Sequence, residues 1–201
     1  MTRFIKHARH GAVLALLLII AACAPFSLVP ASTNDVANFR VDADIAWNKV
    51  NQLRLESSAP LAYWTVDGPS LNGMLFIGGV KDGQPVVKVQ GDTTKDNALI
   101  FRNGMTATEI VELWEATTAK ISQTTIAKGS NIEGATFGGT SGFKFDFHYV
   151  TKDEVDRSGI GYATVKDGRL YLIFFSGTKL HHYPARLASA KRIIESARIT
   201  G

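Results

Sequence analysis

The chain has 201 residues, 45% of them hydrophobic and 20% charged, the make-up of an ordinary globular domain with a core of its own. Its formal charge of +4 overstates its basicity, because three of its 22 Lys and Arg residues (Arg3, Lys6, Arg9) precede Ala22 and none of its 18 acidic residues does. Beyond Ala22 the chain is near neutral, with no basic stripe for a nucleic-acid partner, and a single cysteine excludes internal disulfides.

Residues 1–22 form the first recognisable segment. The positive stretch around Arg3, Lys6 and Arg9 is followed by an unbroken apolar or small run from Gly11 to Ala22, the layout of a secretory signal peptide. The run is short for a transmembrane helix. It ends in Ile20-Ala21-Ala22-Cys23, and this resembles the lipobox of bacterial lipoproteins. The resemblance implies cleavage before Cys23, a diacylglyceryl group on its thiol and an acyl chain, such as palmitate, on its new amine. Several acyl chains hold a protein on a membrane far more firmly than one. In that class an aspartate after the cysteine directs retention at the inner membrane. Here the position is Ala24, which implies the outer membrane with the domain facing the periplasm. The plain alternative for Cys23 is a small apolar residue of an ordinary signal peptide.

Residues 23–37 read as the lipidated cysteine and a flexible tether, because Pro25, Pro30, Ser27, Ser32, Thr33 and Asn34 interrupt any periodicity. Extended, such a tether reaches roughly 40 Å. A single domain is expected over 38–201, able to fold without its anchor.

Within that domain, 45–51 suggests a short helix. Residues 61–66 and 71–80 are apolar runs joined by Asp67-Gly68-Pro69, a strand pair with a turn. After Lys81-Asp82-Gly83, residues 86–89 suggest a further hairpin strand. Thr106 and Glu109 form a capping box, followed by Ile110, Leu113, Trp114, Thr117 and Ile121 at helical spacing. Phe143, Phe145, Phe147 and Tyr149 alternate with Lys144, Asp146 and His148, a strand with one aromatic face. Residues 161–165 and 170–176 flank Lys166-Asp167-Gly168, a hairpin turn. A last helix starts near Pro184 and aligns Leu187, Ala190, Ile194 and Ala197. The pattern predicts an α+β fold: an antiparallel sheet flanked by two or three helices.

The aromatic strand, the tight Asp-Gly hairpin, the strand 170–175 and a final amphipathic helix ending Ile193-Ile194-Glu195-Ser196 resemble the close of PsbP/Mog1-like domains. The likeness covers about the last sixty residues and implies an α/β/α sandwich. That fold includes non-catalytic binding and assembly factors, and fold alone does not fix function.

No catalytic constellation stands out. His181-His182-Tyr183 is the most site-like cluster, but neighbouring side chains in a loop diverge and no third ligand lies at metal spacing. His148 sits on the polar side of the aromatic strand. Gly138-Gly139-Thr140-Ser141-Gly142 lacks both the Lys-Ser/Thr of a phosphate loop and the second glycine of a nucleophile elbow, and reads as a turn. Asp153, Glu154 and Asp156, flanked by Lys152 and Arg157, read as an exposed turn. No catalytic, metal-binding or cofactor-binding residue is assigned; the one assigned site is Cys23. The sequence thus suggests a membrane-anchored envelope lipoprotein. Its role would be that of a non-enzymatic binding or assembly module with a protein, lipid or cell-wall partner. The alternative is a hydrolase-like envelope enzyme whose active site is not visible in the sequence.

Overall fold

A computed structural model describes residues 24–93 and 99–201. Cys23 and the signal segment lie outside them. The strands, in chain order, are β1 (Phe26–Val29), β2 (Thr33–Val36), β3 (Phe39–Asp42), β4 (Trp47–Val50), β5 (Leu55–Glu56), β6 (Leu61–Thr65), β7 (Asn72–Lys81) and β8 (Lys88–Val89). The helix α1 (Ala107–Ser122) comes next, then β9 (Ala127–Phe137), β10 (Thr140–Val150), β11 (Asp156–Lys166), β12 (Arg169–Thr178), the helix α2 (His182–Ser196) and β13 (Arg198–Ile199). Eight strands make one antiparallel sheet in the order β1-β4-β6-β7-β12-β11-β10-β9. A small sheet, β13-β3-β2, covers part of one face, and β5 pairs with β8 elsewhere.

The sheet divides the interior into two layers. On one face Trp47, Trp64, Phe76 and Phe175 pack with Ile193 and Ile194 of α2 and with Phe39 of the small sheet. On the other, Phe145, Phe147, Leu172 and Phe174 pack with Ile110, Leu113 and Trp114 of α1. This is the α+β fold expected, an antiparallel sheet between two helices. The alternation along β10 works as read, since Phe143, Phe145, Phe147 and Tyr149 are all buried on the α1 side. Residues Asp167 and Gly168 both take positive φ, 51° and 69°, so the Asp-Gly pair closes the β11–β12 hairpin without splaying its strands.

The helix boundaries reflect their local chemistry. Thr106 Oγ1 accepts from the Glu109 N–H, and a Glu109 carboxylate oxygen accepts from the Thr106 N–H at 2.7 Å. α2 has no side-chain cap. It is held instead by ion pairs: Arg186 donates two bonds to Asp67 at 2.8 and 2.9 Å, and Arg192 pairs with Asp44. The Arg186 guanidinium, with help from Asn72, holds the Asp67 carboxyl below the usual carboxylate range.

Three expectations are corrected. Residues 24–37 are not a free tether: β1 pairs with β4 and β2 with β3, and Val29 and Val36 are buried. Four-residue strands are too short to show a period, and Pro25 and Pro30 flank β1 without interrupting it. The expected helix at 45–51 is the strand β4, its Trp47 buried against Phe175. Residues 86–89 do not continue a hairpin from β7. Val86 and Val87 are core residues, and only Lys88–Val89 pairs, with β5.

The edge strand β9 carries no apolar alternation and was not legible in the sequence. Its pairing with β10 slips near Asn131, which takes φ 50° and bonds Asp146 through its side chain.

Candidate functional site

The α1 side of the sheet is incompletely filled. A cavity of about 420 Å³ lies between α1, the sheet and the segment after β4. Trp114, Thr118 and Ile121 of α1 form one wall. Tyr63, Leu75 and Phe174 form the sheet floor, and Val50, Gln52, Leu53 and Leu55 make the rim. The stripe read on α1 therefore does two jobs. Its first turns close the core, and its later turns overhang the opening.

The floor depends on a glycine. A Cβ on Gly73 would lie 1.9 Å from the Tyr63 hydroxyl, so the phenol lies across the backbone of β7 only because position 73 has no side chain. Burial pushes the Tyr63 phenol well above its ordinary pKa, which keeps it a neutral hydroxyl. Next to it Tyr149 and Ser176 share a buried hydrogen bond of 3.0 Å. Two buried polar atoms of the α1 wall, Trp114 Nε1 and Thr118 Oγ1, have no partner among the described residues. An apolar cleft with a few fixed hydroxyls and N–H groups is the usual form of a small-ligand site.

Behind the Tyr149 end lies Arg157, 4% exposed, its guanidinium 5.7 Å from the Tyr149 ring centre. One of its N–H groups donates to the Ser70 carbonyl at 2.6 Å. The sequence placed Arg157 in an exposed acidic turn. The strand alternation instead turns it inward opposite Tyr149, a case where a charged residue mid-pattern hides a core position.

The residues weighed in the sequence lie elsewhere. His148 Nε2 meets an Asp156 oxygen at 2.6 Å, and Lys179 donates to the other at 3.0 Å, in an exposed cluster without a hydroxyl nucleophile. His182 Nδ1 bonds Thr178 Oγ1 at 2.8 Å, with no carboxylate bonded to the ring. His181 stands at the start of α2 with its ring edge-on to His182. Among the described residues no histidine combines a carboxylate and a hydroxyl, and none lines the cavity. Among the same residues no group of three or more His, Cys, Asp or Glu could hold a metal ion. Gly138 and Gly139 form the β9–β10 turn, with φ of 64° and 84°. Trp47 and Trp64 are core residues of the α2 side, Trp64 lying 4.7 Å from Phe76. The cavity itself had no sequence signal, since its lining comes from several separated stretches of mostly ordinary core residues.

No helix among the described residues is long and apolar enough to cross a membrane. No family model matches the sequence, and a search of curated proteins finds no match. Among solved structures, the chain is similar to the solution structure of cyanobacterial PsbP (CyanoP) from Synechocystis sp. PCC 6803. The two share 12% identity over 89% of this chain and 94% of that one, with a TM-score of 0.53. A second similar structure is the crystal structure of LpqN, involved in cell envelope biogenesis of Mycobacterium tuberculosis, at 12% identity, 90% and 88% coverage and a TM-score of 0.32. The likeness to the cyanobacterial protein extends over nearly the whole chain what the closing sixty residues implied: the fold is PsbP-like.

Proposed function

We propose that this protein is a non-enzymatic binding module of the bacterial envelope, anchored through lipid on Cys23 and facing the periplasm from the outer membrane. The apolar cavity beneath the second half of α1 is its binding site. The observation that carries this reading is the character of that cavity. Most of its lining is apolar or aromatic, and the serine on its sheet side, Ser176, is engaged by Tyr149 with no general base beside it among the described residues. Chemistry of the hydrolase kind would need a nucleophile, a base and an orienting group within reach of one another. The cavity offers apolar contact area, a few hydroxyls and the polar groups of Arg54 and Gln52, which suit holding more than reacting.

A fluorescent apolar dye such as 1-anilinonaphthalene-8-sulfonate tests the site. The native protein should bind it with a blue shift, and Thr118→Phe, which fills the cavity from the α1 wall, should weaken binding by roughly tenfold or more, a loss of about 1.4 kcal/mol. Equal binding by both proteins, each still melting cooperatively, would show that the dye sits elsewhere and remove the cavity from the reading.

The anchor is tested separately. Metabolic labelling with an alkyne fatty acid should mark the native protein and leave Cys23→Ser unlabelled. Equal incorporation into both would end the lipoprotein reading while leaving the cavity reading intact.

A further inference from the structure

The beginning of the described chain and the rim of the cavity meet at one residue, Asn51. Its backbone N–H donates to the Pro25 carbonyl at 3.0 Å, and its side-chain amide donates to the Ala24 carbonyl at 2.9 Å. Ser27 Oγ donates to its side-chain oxygen at 2.9 Å. Both chain neighbours of Asn51, Val50 and Gln52, line the cavity. The polypeptide is therefore fixed to the rim from Ala24 onward. Cys23 is the preceding residue, and consecutive α-carbons are about 3.8 Å apart. Any lipid on Cys23 is joined to the chain one residue before this anchored point.

The edge of the sheet at this place is apolar as well. Phe26 of β1 lies directly opposite Val50 in the ladder, so both side chains share the face that bears the cavity. Leu28 lies on the same face two residues later. Phe26 is 40% exposed and Leu28 73%, large apolar side chains that the rest of the described chain leaves uncovered. The cleft runs away from this edge across the sheet, its lining drawn from β4, β6, β7, β12 and β10. A cleft with an apolar floor of Tyr63, Leu75 and Phe174, polar groups of Arg54 and Gln52 at its rim and an apolar sheet edge beside it suits a hydrocarbon chain with a polar head.

We propose that the cavity is an acyl-chain site loaded from the membrane at the β1 edge, with Phe26 and Leu28 resting in the bilayer surface. The proposal builds on the cavity reading above and adds the ligand's chemistry and its route. The acyl chain has two sources of the same chemistry, a chain carried on Cys23 itself or a chain of a neighbouring phospholipid.

Bromine on an acyl chain quenches nearby indoles, and Trp114 is the tryptophan that lines the cavity. Trp47 and Trp64 lie in the core layer on the opposite face of the sheet. The mature full-length protein is reconstituted in two ways: with ordinary acyl chains in vesicles of dibrominated phosphatidylcholine, or carrying brominated chains, obtained from cells fed a brominated fatty acid, in vesicles of unbrominated lipid. Quenching in the first arm identifies a phospholipid chain in the cavity, and quenching in the second identifies the protein's own. Either result, if it falls several-fold in Trp114→Phe and in Thr118→Phe, supports the proposal. The absence of Trp114 quenching in both arms overturns it, as does quenching that survives both substitutions. If the apolar dye still binds the native protein and not Thr118→Phe, only the acyl-chain proposal has failed. If the dye also binds both proteins alike, the cavity reading fails with it.

Discussion

Trp114→Ala should destabilise the protein by about 3–5 kcal/mol, the range for emptying a large aromatic site in a packed interior. Trp114 is 4% exposed and meets Phe174 edge-on at a centroid separation of 5.0 Å. The loss also joins the vacated volume to the neighbouring cleft, so the surroundings have little reason to collapse into it. Urea denaturation reads the effect as a lower midpoint at unchanged slope. Trp114→Phe should keep most of the stability, because the ring contact with Phe174 survives and the buried N–H that lacks a partner among the described residues is removed. A midpoint for Trp114→Ala within about 1 kcal/mol of native would mean that α1 does not rest its weight on this residue.

A chain beginning at Asn38 should lose its cooperative fold or come close to it. The segment removed carries β1 and β2, whose Val29 and Val36 are 7% and 8% exposed. Burying two such side chains contributes about 3–6 kcal/mol, and their departure uncovers Trp47 and Phe39 behind them. The total stability of a domain this size is about 5–15 kcal/mol. The turn between β2 and β3 is also closely seated on the main sheet. A Cβ on Gly78 would lie 1.8 Å from the Ala37 carbonyl oxygen, and Asn38 donates to the Gly78 carbonyl at 2.9 Å. Thermal melting followed by circular dichroism, with dye binding to report exposed apolar surface, distinguishes the outcomes. A sharp transition at the native temperature would restore 24–37 to the role of a tether.

That reversal shows where the sequence was legible. Periodicity read well wherever an element was long and one-sided. The alternation of Phe143, Phe145, Phe147 and Tyr149, the stripe behind Thr106 and the turn at Asp167 and Gly168 each encode their geometry locally. The antiparallel sheet with a helix on either side came from them. The misread segments share a different trait. Residues 26–29, 33–36 and 47–50 are four-residue strands, and with so few residues a strand, a loop and a helical turn look alike. Proline content then tipped the reading toward a linker. The cleft was invisible for a stronger reason. It arises from a missing Cβ at Gly73 and the placing of α1 over the sheet, both consequences of assembly and neither a property of any one stretch. The reading of Cys23 rests on a purely linear signal and lies outside the described residues.

The break in the β9 ladder at Asn131 takes on a second meaning under the membrane anchoring proposed above. Molecules held on a membrane diffuse in two dimensions, and neighbours of one kind meet at an effective concentration far above that in free solution. An open sheet invites such neighbours to zip edge to edge, since its last strand presents unpaired N–H and C=O groups. Here the outer strand is eleven residues long, enough for a strong ladder. The positive φ at Asn131 and the slip against β10 break that row in the middle, and Lys128 and Glu133 place opposite charges on either side of the break. The irregularity that hid this strand from the sequence pattern also guards its edge against ladder pairing, which molecules anchored side by side in the proposed way would require.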